Sequence, residues 1–271
     1  QGFSVHLVEQ NTSLGGFAGN LTTTLEGQSV SRLIRYLNER VNRHPNISVH
    51  LKSKLIAHKG HMGNFDGTLL SEDHKISLSY GAVIVATGGR AYEPREYLYA
   101  ADRRVLSQVE LSRRLKEDPQ WAHGLKRVVM IQCVGSRNED FSFCSRVCCS
   151  AAVKNSIAIK KVNPDAQIVI LYRDLRTFGF KEIYYLKARQ MGVMFFRFIP
   201  GDQPRVYNDN AEKLIVDFTD RSSHQDFRVE PDLLVLSSGI RPRAGADQIA
   251  AVLKLRSIIL SALAKPASRS P

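Results

Sequence analysis

All four cysteines of the chain fall between Cys133 and Cys149. Cys133-Val-Gly-Ser-Arg137 is followed by Phe143-Cys144-Ser-Arg-Val-Cys148-Cys149, so ten residues separate the first two cysteines and three the next two. Four thiolates gathered at one point can hold a tetrahedral Zn²⁺ or a [4Fe–4S] cluster, both soft-ligand sites. Two disulfides, or ordinary buried thiols, are the other readings. A vicinal Cys148–Cys149 disulfide is disfavoured, because adjacent Cα atoms lie only about 3.8 Å apart. Zinc sites usually show two short C-x-x-C knuckles, and there are none here.

The flanking elements decide whether the thiols converge. The apolar run Val128-Val-Met-Ile-Gln132 predicts a buried strand that delivers Cys133 at its C-terminal end. Residues 145–161 predict a helix, with Val153 and Ile157 four apart and Pro164 beyond its end. If the first turn includes Cys144, then Cys144 and Cys148 share a face and Cys149 lies one step round. A strand end would then face a helix N-terminus, whose free N–H groups favour thiolates. Arg137 and Arg146 add positive charge.

Cys-Val-Gly-Ser-Arg followed by Cys-Ser-Arg-Val-Cys-Cys resembles the A subunit of heterodisulfide reductase, an FAD and iron–sulfur electron-transfer protein. The similarity continues through Lys154, Asn163-Pro-Asp-Ala166, Tyr172-Arg-Asp-Leu-Arg-Thr-Phe-Gly179 and Ala188-Arg-Gln-Met-Gly-Val193, and covers residues 1–255 or so. The resemblance implies that Cys133, Cys144, Cys148 and Cys149 ligate a [4Fe–4S] cluster near the flavin, in a complex with other redox subunits. The gap after Cys133 is shorter than is usual in that family. The family's ferredoxin-like insertion is missing between Gly16 and Ala82, which suggests a short form. A different branch, such as the A subunit of the quinone-interacting membrane-bound oxidoreductase complex, is the alternative.

Two dinucleotide-binding units are expected. In the first, Phe3-Ser-Val-His-Leu-Val8 ends in Glu9 and is followed by Leu14-Gly15-Gly16. An acid at the end of the second strand of such a unit binds ribose hydroxyls, although a strand ending in an acidic turn is common on its own. The first strand and its glycine-rich turn belong about twenty residues earlier, before this chain begins. Ala82-Val-Ile-Val-Ala-Thr-Gly-Gly89 predicts a buried strand whose glycines let backbone approach a ligand. Glu9, Gly15, Gly16, Thr87 and Gly88 are thus the FAD candidates. Residues 27–44 predict an amphipathic helix. Residues 52–79 predict short antiparallel strands, with His58, His61 and His74 read as solvent-facing.

From Leu125 the order strand, helix, strand, helix, strand is Rossmann-like. Cys133-Val-Gly-Ser-Arg137 stands where a nicotinamide domain has its phosphate-binding turn, so direct NAD(P)H binding is not expected. Asp232-Leu-Leu-Val-Leu-Ser-Ser-Gly-Ile-Arg-Pro242 resembles the return strand to the first domain. The fold class is α/β, with two Rossmann-like units of the disulfide-reductase flavoprotein type, the first incomplete. The expected domains are a partial FAD-binding domain over 1–122 and the cysteine-bearing domain over 123–237. A return segment and irregular tail occupy 238–271.

A length of 271 residues and a hydrophobic content of 43% suit two globular domains. The net charge of +12 is scattered and no nucleic-acid motif accompanies it, which favours an acidic partner protein, or simply a basic solvated surface, over RNA or DNA. No apolar run reaches the roughly 18–20 residues that span a bilayer. Clustered cysteines without a signal peptide point to a reducing cytoplasm. The expected function is electron transfer between FAD and a [4Fe–4S] cluster, from a fragment competent for the cluster but poor at holding FAD. A thioredoxin-reductase-like flavoprotein would want a C-x-x-C pair and a nicotinamide turn. A zinc-stabilised interaction module is the alternative of a different class.

Overall fold

The computed structural model describes residues 2–255. The chain divides into two compact units, one of 2–19, 29–90 and 241–255, the other of 20–28 and 91–240.

In the first unit, β1 (Val5–Val8) pairs in parallel with β2 (Ile47–His50), and α1 (Val30–Arg43) connects them. The Ser29 side chain accepts from the Arg32 N–H and caps α1, satisfying a donor that the first turn leaves open. β3 (Ser53–His61), β4 (Asn64–Ser71) and β5 (His74–Tyr80) follow as the expected antiparallel meander. His58 is not simply solvent-facing, since its Nδ1 lies 2.8 Å from the Tyr80 hydroxyl. The run from Ala82 to Gly88 departs from expectation: it forms no strand, and Ile84 is 92% exposed. A strand needs a neighbour for its N–H and C=O groups, and among the described residues β1 and β2 form a two-stranded sheet that does not include this run.

The short strand β6 (Gly89–Ala91) leads onward. In the second unit come β7 (Val105–Ser107), α2 (Gln108–Glu117), β8 (Arg127–Val134), α3 (Cys148–Val162), β9 (Gln167–Tyr172), α4 (Glu182–Gln190) and β10 (Met194–Arg197). A meander of β11 (Arg205–Asn208), β12 (Leu214–Asp220) and β13 (Gln225–Val229) precedes β14 (Leu233–Ser238). Five strands form a parallel sheet in the order β10-β9-β8-β14-β7.

Both faces of this sheet are covered, which is why β8 reads as an unbroken apolar run. Val128 and Met130 pack with Leu111, Ala152, Val153 and Ile157 of the helices. Val129 and Ile131 pack on the other face with Leu214, Val216 and Phe218 of the meander. A capping box joins Ser107 and Glu110 at the start of α2.

The division into units falls between residues 90 and 91 rather than at 122, because β7 is hydrogen-bonded to β14 as an edge of the large sheet. For the same reason Leu233–Ser238 is no return strand. It lies between β8 and β7 inside the second unit, and the chain leaves only after Ile240. α5 (Ala246–Val252) then belongs to the first unit. Of the expected irregular tail, residues 256–271 lie outside the described residues.

A four-cysteine candidate metal centre

β8, β9 and β14 run parallel, so their C-terminal ends share one edge of the sheet. Cys133 is the penultimate residue of β8 and has φ +64°, a left-handed conformation uncommon outside glycine. Gly135, Arg137 and Arg146 also have positive φ, at +66°, +57° and +59°. Backbone strain of this kind gathers at functional sites and persists only when the surroundings enforce it. Here the enforcement is visible. A Cβ on Gly135 would collide with the Tyr92 ring, and one on Gly239 would stand 2.8 Å from Ser136 Cβ. The Gly239 N–H donates to the Val134 carbonyl at 2.9 Å, and the Ile240 N–H to Ser145 Oγ at 2.6 Å.

α3 begins later than its sequence suggests, at Cys148, with Val147 as an N-cap that supplies no side-chain acceptor. Cys144 therefore precedes the helix instead of sharing a face with Cys148, and its Sγ accepts from the Arg146 N–H at 3.4 Å. Cys148 and Cys149 are buried in the first turn, while Cys133 and Cys144 are half-buried. None is in a disulfide. The Cys148 thiol donates to the Ser238 carbonyl at 3.2 Å and the Cys149 thiol to the Asp174 carbonyl at 3.7 Å.

Strand end, loop and helix start thus bring the cysteines into one neighbourhood, where each pairing is close enough for one thiolate to raise the pKa of another. Burial pushes Cys148 up to about 12, and the neighbouring sulfurs add to the effect. Burial also raises Cys133 and Cys149, against the downward pull of Arg137 on the first and of hydrogen bonding at Arg176 on the second. Desolvation therefore outweighs the helix N-terminus that the sequence suggested would favour thiolates. With the side chains as they stand, no three His, Cys, Asp or Glu among the described residues are grouped closely enough to hold a metal ion.

Besides Arg137, which the sequence pointed to, Arg173, Arg176 and Arg197 gather at the turn after β9, and sequence reasoning passed these three over. Arg137 lies 3.9 Å from Cys133 Sγ and pairs with Asp174 at 2.5 Å. Arg176 and Arg197 approach Asp174 at 3.7 and 3.9 Å, and Arg173 donates to the Arg137 carbonyl at 2.7 Å. The available signal was positional: Arg173-Asp-Leu-Arg176 directly follows β9, at the same sheet edge as Cys133.

The FAD candidates all lie in the first unit. Glu9 Oε1 accepts from the Asn11 N–H and Nδ2 at 2.8 and 2.7 Å, with Arg243 3.9 Å away. Gly15 and Gly16 have φ of +119° and +49°. A Cβ on Gly15 would meet Ile34 of α1 at 3.2 Å, so glycine permits that close approach. Thr87 and Gly88 lie in the exposed run that forms no strand.

No family model matches the chain. Among curated proteins it is similar to the A subunit of the ferredoxin:CoB-CoM heterodisulfide reductase of Methanosarcina acetivorans, with 34% identity covering 66% of this chain and 27% of that protein. The iron-sulfur A subunit of the CoB–CoM heterodisulfide reductase of Methanocaldococcus jannaschii is 34% identical over 67% of this chain and 30% of its own length. The chain thus spans under a third of these curated relatives. Among solved structures it resembles Lactococcus lactis thioredoxin reductase, with TM-score 0.55, 17% identity and coverage of 89% and 72%. DfoA from Erwinia amylovora, solved bound to FAD, gives TM-score 0.53, 10% identity and coverage of 91% and 74%. The likeness to these two structures is one of fold, the Rossmann-type α/β architecture.

Proposed function

Because the aligned two thirds of the chain belongs to the family of heterodisulfide reductase A subunits, we propose that it is an oxidoreductase segment. It passes electrons between FAD and a [4Fe–4S] cluster inside a multi-subunit cytoplasmic complex. The observation that carries this reading is the placement of all four cysteines, none in a disulfide, on one strand end, the loop after it and the first turn of α3. Buried sulfurs that repel one another when ionised are poor neighbours for each other but good ligands for a soft cationic centre.

Cys133, Cys144, Cys148 and Cys149 would hold the cluster, which supplies one-electron redox chemistry when bound. Arg137, Arg173 and Arg176 offset the negative charge of the thiolates. Raised thiol pKa values mean that protons must leave before the ligands bind. Among the described residues no helix is long and apolar enough to cross a membrane. In the first unit, Glu9 would bind the adenosine ribose, with Gly15, Gly16, Thr87 and Gly88 against the flavin. The domain roles follow: partial flavin domain first, cluster domain second, no direct NAD(P)H site.

Anaerobic reconstitution of the chain with iron and sulfide tests this. About four irons per chain, with a broad visible absorption bleached by dithionite, is the expected result. Stoichiometric zinc with no chromophore would favour a zinc-stabilised interaction module instead.

A further inference from the structure

Among the described residues, five buried side-chain atoms have no hydrogen-bond partner: Gln132 Nε2 and Oε1, Ser150 Oγ, Arg173 Nε and Ser238 Oγ. All belong to residues that border the cysteines. Gln132 precedes Cys133 and Ser150 follows Cys149. Ser238 offers its carbonyl to the Cys148 thiol, and Arg173 precedes Asp174, whose carbonyl receives the Cys149 thiol.

Burial alone does not explain this. Gln108, one layer away, is also buried, yet its Nε2 donates to Ser237 Oγ at 3.0 Å and its Oε1 accepts from Asn155 Nδ2 at 2.7 Å. Buried polar groups ordinarily find such partners, and an exception calls for a cause. Gln132 is 1% exposed and continues the alternation of Val128 and Met130 on the helix-covered face of β8. An apolar residue would suit that position. A carboxamide there, next in the chain to Cys133 and with neither of its polar atoms partnered, suits a centre that accepts hydrogen bonds.

We propose that Gln132, Ser150 and Ser238 are positioning residues whose N–H and O–H groups donate to the sulfurs of a thiolate-bound cluster and set its reduction potential. The inference rests on the cluster reading given above. Donors to sulfur stabilise the added negative charge of the reduced state, so they raise the potential. Without the bound group the same donors are a burden, because an unsatisfied buried polar group destabilises the fold.

The two consequences have opposite signs, and Gln132→Met reads both. In the full chain, anaerobically reconstituted with iron and sulfide, this variant should keep its iron and be harder to reduce. The reduction equilibrium should shift about tenfold, or about 59 mV for a one-electron couple. Metal-free, it should melt at a higher temperature than wild type. An unchanged potential at full iron content would overturn the proposal, as would a lower melting temperature of the metal-free variant, which marks Gln132 as purely structural. Should Gln132→Met fail to load, Ser150→Ala and Ser238→Ala decide, with unchanged potentials in both counting against it. Absence of any cluster chromophore in the wild type defeats the proposed function itself, and this inference with it.

Discussion

Arg137 joins Asp174 at 2.5 Å and so ties the turn after β8 to the turn after β9. The same guanidinium stands 3.9 Å from Cys133 Sγ and holds the Asp174 carboxyl below its ordinary range. Removing it takes a positive charge from the thiols and unties the two turns. Arg137→Met should therefore weaken metal retention, by about tenfold or more on the scale of outer ligand-sphere changes. Competition with a graded chelator measures it, and undiminished retention would show that Arg137 serves the fold alone.

If the four cysteines are one site, any single serine substitution should lose or cripple the bound centre. Cys144 is the sharpest case, since it lies outside α3 and is half-buried. Full iron content and an unchanged spectrum in Cys144→Ser or Cys149→Ser would contradict the four-ligand assignment.

Gly135→Ala should disrupt the turn for two separable reasons. A left-handed φ costs a non-glycine residue about 1–2 kcal/mol, and the added Cβ would collide with the Tyr92 ring. Pairing it with Tyr92→Ala should recover the steric part only. Thermal melting of the single and double variants reads the difference; equal melting temperatures would place Tyr92 outside the constraint.

The strand, the helix and the cysteine neighbourhood were legible because they rest on local signals: an apolar run, helical spacing, residue type. α3 starts at Cys148 and not at 145, and the Ser145 hydroxyl accepts from the Ile240 N–H, a contact that nothing near it in sequence announces. Asp174 and its arginines were invisible as a group because parallel pairing, not sequence proximity, brings them to Cys133. Ala82–Val85 misled because apolar content predicts a strand only where a neighbouring strand exists.

Alkaline pH should destabilise the metal-free chain. Cys148 has a folded pKa pushed up to about 12, against an ordinary thiol value of 9.0, so the unfolded chain ionises first. The stability due to the neutral buried thiol is complete below pH 9 and falls between 9.0 and about 12, by up to about 1.4 kcal/mol per pH unit. Melting curves of metal-free wild type and Cys148→Ala should converge as pH rises through that window. A constant separation would contradict it.

At the acid end the relevant group is Asp102, 9% exposed, which accepts from the Arg104 side chain and backbone and from Asn208. Its folded pKa, lowered from 3.8 to about 2, is worth about 2 kcal/mol. That stability is present above roughly pH 4 and is lost as pH falls toward 2. Asp102→Asn should remove the same amount at neutral pH, with little further loss on acidification, as denaturant titration at pH 7 and pH 3 would show.

The last strand of the large sheet in sequence, β14, is central in space. A nascent chain therefore emerges with β8, the cysteine loop and α3 already made, while the strand that separates β8 from β7 and brings Ser238 and Gly239 is still to be synthesised. Until that strand is made, the sheet lacks its middle and the Cys148 thiol lacks the Ser238 carbonyl to which it donates. Such non-local pairing closes slowly. The order of translation thus supplies last the strand that completes both the sheet and the surroundings of the thiols.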